Sequence, residues 1–276
     1  MADQFDAETG EIIEQPSALP MIDNAALATL TRVEIDTQIA TARQYPRSVD
    51  RAIKNIITLA TLDEETAEEC CYALVRRSKR RGSDGEDNKP IEGPSIRLAE
   101  IAAQQWGNVR VDARVIEINR KDKYVAAEGT FHDLETNTAM RAVVRRRIST
   151  KQGALFSDDM IVVTGNAACA IAKRNAILSG IPRGVYRPAY IKAREIIAGT
   201  AETLTANRAK AIGAFARFGV TPDQIFEALG VEGEGDIKTT HIASLRAMFS
   251  TLKNGESTVE EMFGKPDPDH KVVENP

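Results

Sequence analysis

The stretch VRVDARVIEINRKDKYVAAEGTFHDLETNTAMRAVVRRRIS (residues 109–149) decides the fold. VRVDARVIE (109–117) alternates, with Val109, Val111, Ala113 and Val115 on one face and Arg110, Asp112 and Arg114 on the other, as a half-buried strand does. A polar turn from Asn119 to Asp122 leads into KYVAAEGTF (123–131), and HDLETN turns the chain again before TAMRAVVRRRIS (138–149). Turns this short join antiparallel neighbours, so the strands form a meander with one face free for helices and the other for solvent. The third strand puts Arg141, Val143, Arg145 and Arg147 on one face and Met140, Ala142, Val144, Arg146 and Ile148 on the other. In the right register, its arginines continue the Arg110/Arg114 face of the first strand.

Helices surround the meander in sequence. ALATLTRVEIDTQIATARQ (26–44) has helical spacing and stops at Pro46. RAIKNIITLATL follows possible caps at Ser48 and Asp50, and EETAEECCYALVRR (64–77) follows Thr61 or Asp63, with acids in its first turn and arginines in its last. SIRLAEIAAQQW (95–106) starts at Ser95 and stops at Gly107–Asn108, and its apolar stripe makes Trp106 a core residue. After the meander, DMIVVTGNAACAIAKRNAILSGIP (159–182) is rich in small residues that permit close packing, and YRPAYIKAREIIAG continues as a helix. Beyond it, Thr221 and Pro222 open a further helix after the stop at Gly219. The expected class is α+β: an antiparallel three-stranded meander packed with helices, plus a small helical C-terminal unit.

Charge divides the chain more sharply than its net value of -4 suggests. Residues 1–40 hold one basic and eight acidic side chains, residues 41–194 hold 27 and 19, and residues 195–276 hold eight and 13. A cationic middle between acidic ends points to a polyanion partner for the middle alone. The expected organisation is an acidic N-terminus without fixed structure (1–27), a basic core (28–195), a helical partner-binding unit (200–264) and an unstructured tail (265–276). SKRRGSDGEDNKPIEGP (78–94) is expected to be a flexible loop.

Catalytic signatures are missing from the sequence. It has no GxxxxGK[ST], GxSxG, HExxH or paired CxxC, and its three histidines are scattered. The adjacent Cys70 and Cys71 and the lone Cys169 fit a reducing cytoplasm rather than a zinc site or disulfide framework. No apolar run approaches the ~18 residues of a membrane span, and no secretory signal opens the chain. The expectation is a cytoplasmic, cofactor-free binding protein with no metal site. A metal-dependent nuclease is the alternative, resting on Asp112, Glu117, Glu128 and Asp133 around the strands. With aromatics at 5%, a stacking platform is not evident, and binding by charge remains.

The order of a helix ending in AAQQWGN, a three-strand meander and a helix NAACAIAKRNAILSGIP resembles the phage single-strand annealing recombinases of the RecT/Redβ/Erf group. LRAMFSTLKNGESTVEEMF looks like the tail of the same proteins. The resemblance implies a β-β-β-α annealing core and ATP-independent annealing of complementary DNA strands in phage or prophage recombination. It also implies subunits assembled in a ring or helical filament, and a C-terminal unit that docks a host single-strand-binding protein or a phage exonuclease. A replication or recombination adaptor without annealing activity is a further alternative. Arg141, Arg145 and Arg147 would line the sheet side of a DNA groove, Lys151 its loop, and Lys173 and Arg174 the facing helix. Arg76, Arg77, Lys79, Arg80 and Arg81 would close over the strand. Arginine suits the task because its fork meets phosphate oxygens bidentately and leaves base edges free.

Overall fold

The computed structural model describes residues 24–75, 90–150 and 152–264. Helix α1 (Asn24–Gln44) is largely exposed; Ala42 is buried, and Glu34 and Gln38 accept hydrogen bonds from Arg110 (2.9 and 2.8 Å). Ser48 and Asp63 cap α2 (Val49–Ala60) and α3 (Glu64–Glu69), their side-chain oxygens accepting from the Arg51 and Thr66 N–H groups.

The helix expected through residue 77 ends at Glu69. Residues Cys71–Leu74 form a strand, β1, antiparallel to β2 (Ile91–Pro94), with Cys71 opposite Pro94 and Leu74 opposite Ile91. The Ala73 N–H also donates to Thr251 Oγ1, so partners distant in sequence override the local helical pattern. Burial pushes the Cys70 and Cys71 thiols up to about 12, which leaves them as small apolar groups at neutral pH. Ser95 then caps α4 (Ile96–Trp106) by accepting from the Arg97 and Leu98 N–H groups, and Gly107 ends it at φ +68°.

The meander follows as β3 (Val109–Asn119), β4 (Tyr124–Asp133) and β5 (Thr138–Arg147), antiparallel in that order. Its register puts Val125, Ala127, Gly129 and Phe131 of β4 on the same face as Arg146, Val144, Ala142 and Met140 of β5. This face is covered by α5 (Asp158–Gly180), which Ser157 caps. Small residues set the spacing: Ala168, Ala172 and Ala176 on the helix are buried, and a Cβ added to Gly129 would overlap the Ala172 carbonyl. The same holds at Gly180, where a Cβ would overlap the Phe131 ring.

A bulge between Val115 and Glu117 changes the face of the later β3 residues. Val115 lies opposite Ala127 but Glu117 lies opposite Ala126, so Glu117 joins the outer face and Ile118 the helix face. Simple alternation along 109–117 would have put Glu117 beside Val115.

Helices α6 (Arg183–Ala198), α7 (Leu204–Ala216), α8 (Pro222–Leu229), α9 (Thr239–Lys253) and α10 (Val259–Met262) complete the chain. Thr221 and Gln224 form a reciprocal capping box at the start of α8. The boundary expected near residue 200 runs through a shared core: α9 packs on β1 and α6, and one buried cluster extends from Ala52 to Phe263. Phe263 is fully buried, 5.3 Å from the Phe215 ring in an edge-on contact, and such burial contributes about 1.5–3 kcal/mol. The expected unstructured tail and residues 1–23 lie outside the described residues. Among the described residues no helix is long and apolar enough to cross a membrane.

Candidate nucleic-acid interface

The outer face of the sheet carries the arginines. Cross-strand rows run Asp112–Thr130–Arg141, Arg114–Glu128–Val143, Glu117–Ala126–Arg145 and Asn119–Tyr124–Arg147. Arg110 and Arg114 therefore share a face with Arg141, Arg145 and Arg147, as the alternating sequence requires in this register. Their environments differ. Arg110 is held by Glu34 and Gln38 of α1, and Arg114 by Glu128 at 3.3 Å. Arg141, Arg145 and Arg147 are exposed, and among the described residues none has a carboxylate within ion-pair distance. Their cationic heads are available to an external anion.

β5 is also an edge strand, and a groove of about 780 Å³ opens beside it. Arg145, Arg146 and Arg147 line one wall, and Met160, Val163 and Ala167 of α5 line the other. Residues 255–258 with Glu260 and Glu261 close one side. Arg146 points to the helix face, where it donates to the Glu256 carbonyl at 2.7 Å.

Two of the expected helix contacts are corrected. Arg174 is buried, paired with Glu256 at 2.7 Å and stacked 4.4 Å from the Tyr72 ring, so it faces the C-terminal segment and not a DNA groove. Burial raises the Glu256 carboxyl above the usual carboxylate range; Arg174 and Arg146 oppose the rise only in part. The other correction is Lys173, which pairs with Glu100 of α4 at 2.8 Å, on the β3 side of α5, away from β5. Burial raises Glu100, but hydrogen bonds from Lys173 and Arg97 outweigh it and hold the carboxyl low. Arg76, Arg77, Lys79, Arg80, Arg81 and Lys151 lie outside the described residues.

The carboxylates considered for a nuclease are engaged separately. Asp133 receives both guanidinium ends of Arg47 at 2.6 Å and the Trp106 indole N–H at 3.3 Å. Glu117 accepts from the Tyr124 hydroxyl, Glu128 from Arg114, and Asp112 from the Ala113 N–H. Among the described residues no group of three or more His, Cys, Asp or Glu side chains converges as metal ligands would.

Composition alone passes over Tyr124. Its ring is half-buried on the arginine face, between Asn119 and Arg147, with the Arg145 guanidinium 4.8 Å from its centroid. The parity of β4 signals this position, since Tyr124 alternates in phase with Glu128, Thr130 and His132. No protein-family model, curated protein or solved structure matches this chain.

Proposed function

We propose that the protein binds single-stranded DNA along β5 and anneals complementary strands without ATP, as a non-enzymatic, cofactor-free phage or prophage recombination protein of the β-β-β-α type. The observation that carries this reading is the row of exposed arginines at 141, 145 and 147, which lack carboxylate partners among the described residues. Cations on a strand bind phosphates and release counterions without reading sequence, leaving bases free to pair. A meander followed by a helix packed on its inner face also supports the resemblance to the annealing recombinases. One protomer offers few phosphate contacts, so long strands call for a homo-oligomeric ring or filament. A host single-strand-binding protein or phage exonuclease would dock on the acidic C-terminal helical unit (200–264).

The test mixes two complementary oligonucleotides, one labelled for fluorescence quenching, with EDTA and without nucleotide. Accelerated pairing is expected. Pairing at the protein-free rate, or strand cleavage when magnesium replaces EDTA, overturns the reading.

A further inference from the structure

Tyr124 lies opposite Arg147 and diagonal to Arg145 of β5, on the sheet face where Arg141, Arg145 and Arg147 have no carboxylate partner among the described residues. The next outward position on β4 is Ala126, so no bulky neighbour on that strand crowds the ring. Arg145 lies opposite Ala126 and Arg147 opposite Tyr124. Residues two apart on a strand are about 6.7 Å apart. The Tyr124 hydroxyl donates to Glu117, 2.8 Å from each carboxylate oxygen, and this bond fixes the ring's orientation. Glu117 reaches that position because of the bulge after Val115. A planar ring anchored at its hydroxyl, with two cations on the neighbouring strand, has the parts a single-strand site combines: a face for a base and guanidinium groups for phosphates.

We propose that Tyr124 is the base-stacking residue of the single-strand site, with Arg145 covering its ring in the free protein and leaving it for a phosphate when DNA arrives. This rests on the DNA-binding reading above. A guanidinium and a base compete for the same π-face, because both are planar groups that stack on it. Stacking tolerates any base, as annealing without sequence preference requires.

The test compares a labelled oligodeoxythymidylate with an abasic strand of equal length, by fluorescence anisotropy. Tyr124→Leu should weaken binding to the base-containing strand about five- to hundredfold and leave the abasic strand unaffected. Tyr124→Phe should retain stacking, and Tyr124→Trp should show a quench of its added emission with oligodeoxythymidylate but not with the abasic strand. Arg145→Ala uncovers the ring, so its preference for the base-containing strand should widen. Equal losses on both strands for Tyr124→Leu, or no quench in Tyr124→Trp while DNA still binds, overturns the stacking role. If the unaltered protein binds neither strand, the DNA-binding reading fails first.

Discussion

Arg47 and Arg145 both belong to the cationic middle, yet the fold gives them opposite uses. The Arg47 side chain is 8% exposed, clamps Asp133 and Glu135 and lies 4.5 Å from the Trp106 ring, tying the loop before α2 to the end of β4. Arg47→Met leaves a buried carboxylate unpaired, so urea denaturation should show a loss of about 3–5 kcal/mol. pH acts on the same network. Burial raises the Glu135 carboxyl, but hydrogen bonds from Arg47 and Asn108 outweigh it and hold it below the usual value of 4.5, and Glu100 is held low in the same way. The stability both contribute is present above the ordinary carboxylate range and lost as pH falls through their lowered folded values. Glu256 runs the other way, its contribution being lost as pH rises through its raised value. The urea midpoint should therefore fall steeply as the pH is taken below about 4.5, and Arg47→Met should make that fall shallower. At this scale the sequence is only partly informative. Arg145 and Arg174 both sit in basic runs, and nothing local reveals that Arg174 meets Glu256, 82 positions away.

The elements were the most legible part. Alternation in 109–149 identifies three strands and their faces, because a one-residue period error would expose every apolar side chain. The caps at Ser48, Ser95 and Thr221 follow from residue type alone. Two features were not legible. β1 depends on a partner strand 20 positions later, and the bulge that turns Glu117 outward interrupts the alternation that identifies the strand. The approach of α5 to β4 is so close that glycine is needed there for space. Gly129→Ala forces a methyl against helix backbone that cannot yield as a side-chain tip would, so it should cost about 1–3 kcal/mol or more in thermal or urea unfolding. An equal stability for Gly129→Ala would mean the helix stands further from the sheet than described.

For the whole molecule, the acidic net charge misleads because charge and core are distributed differently. The cationic middle presents, on the outer face of one sheet, arginines with no carboxylate partner among the described residues, whereas the acidic C-terminal helices share the core with α2, α4 and α6. Glu256 joins the two parts, engaging Arg146 and Arg174 from the C-terminal side. The proposed function depends on Arg141, Arg145 and Arg147, which have no carboxylate partner among the described residues, and electrostatic binding is read most directly from salt. The decisive measurement is the affinity for a labelled single strand across a salt series, for the protein and for its Arg141→Ala, Arg145→Ala, Arg147→Ala triple variant. Each phosphate contact contributes roughly 0.7 to the slope of log affinity against log salt, so losing three should make the slope shallower by about 2 and weaken low-salt binding to all sequences alike. An unchanged slope and unchanged low-salt affinity in the triple variant would contradict the assignment of β5 as the DNA-binding face.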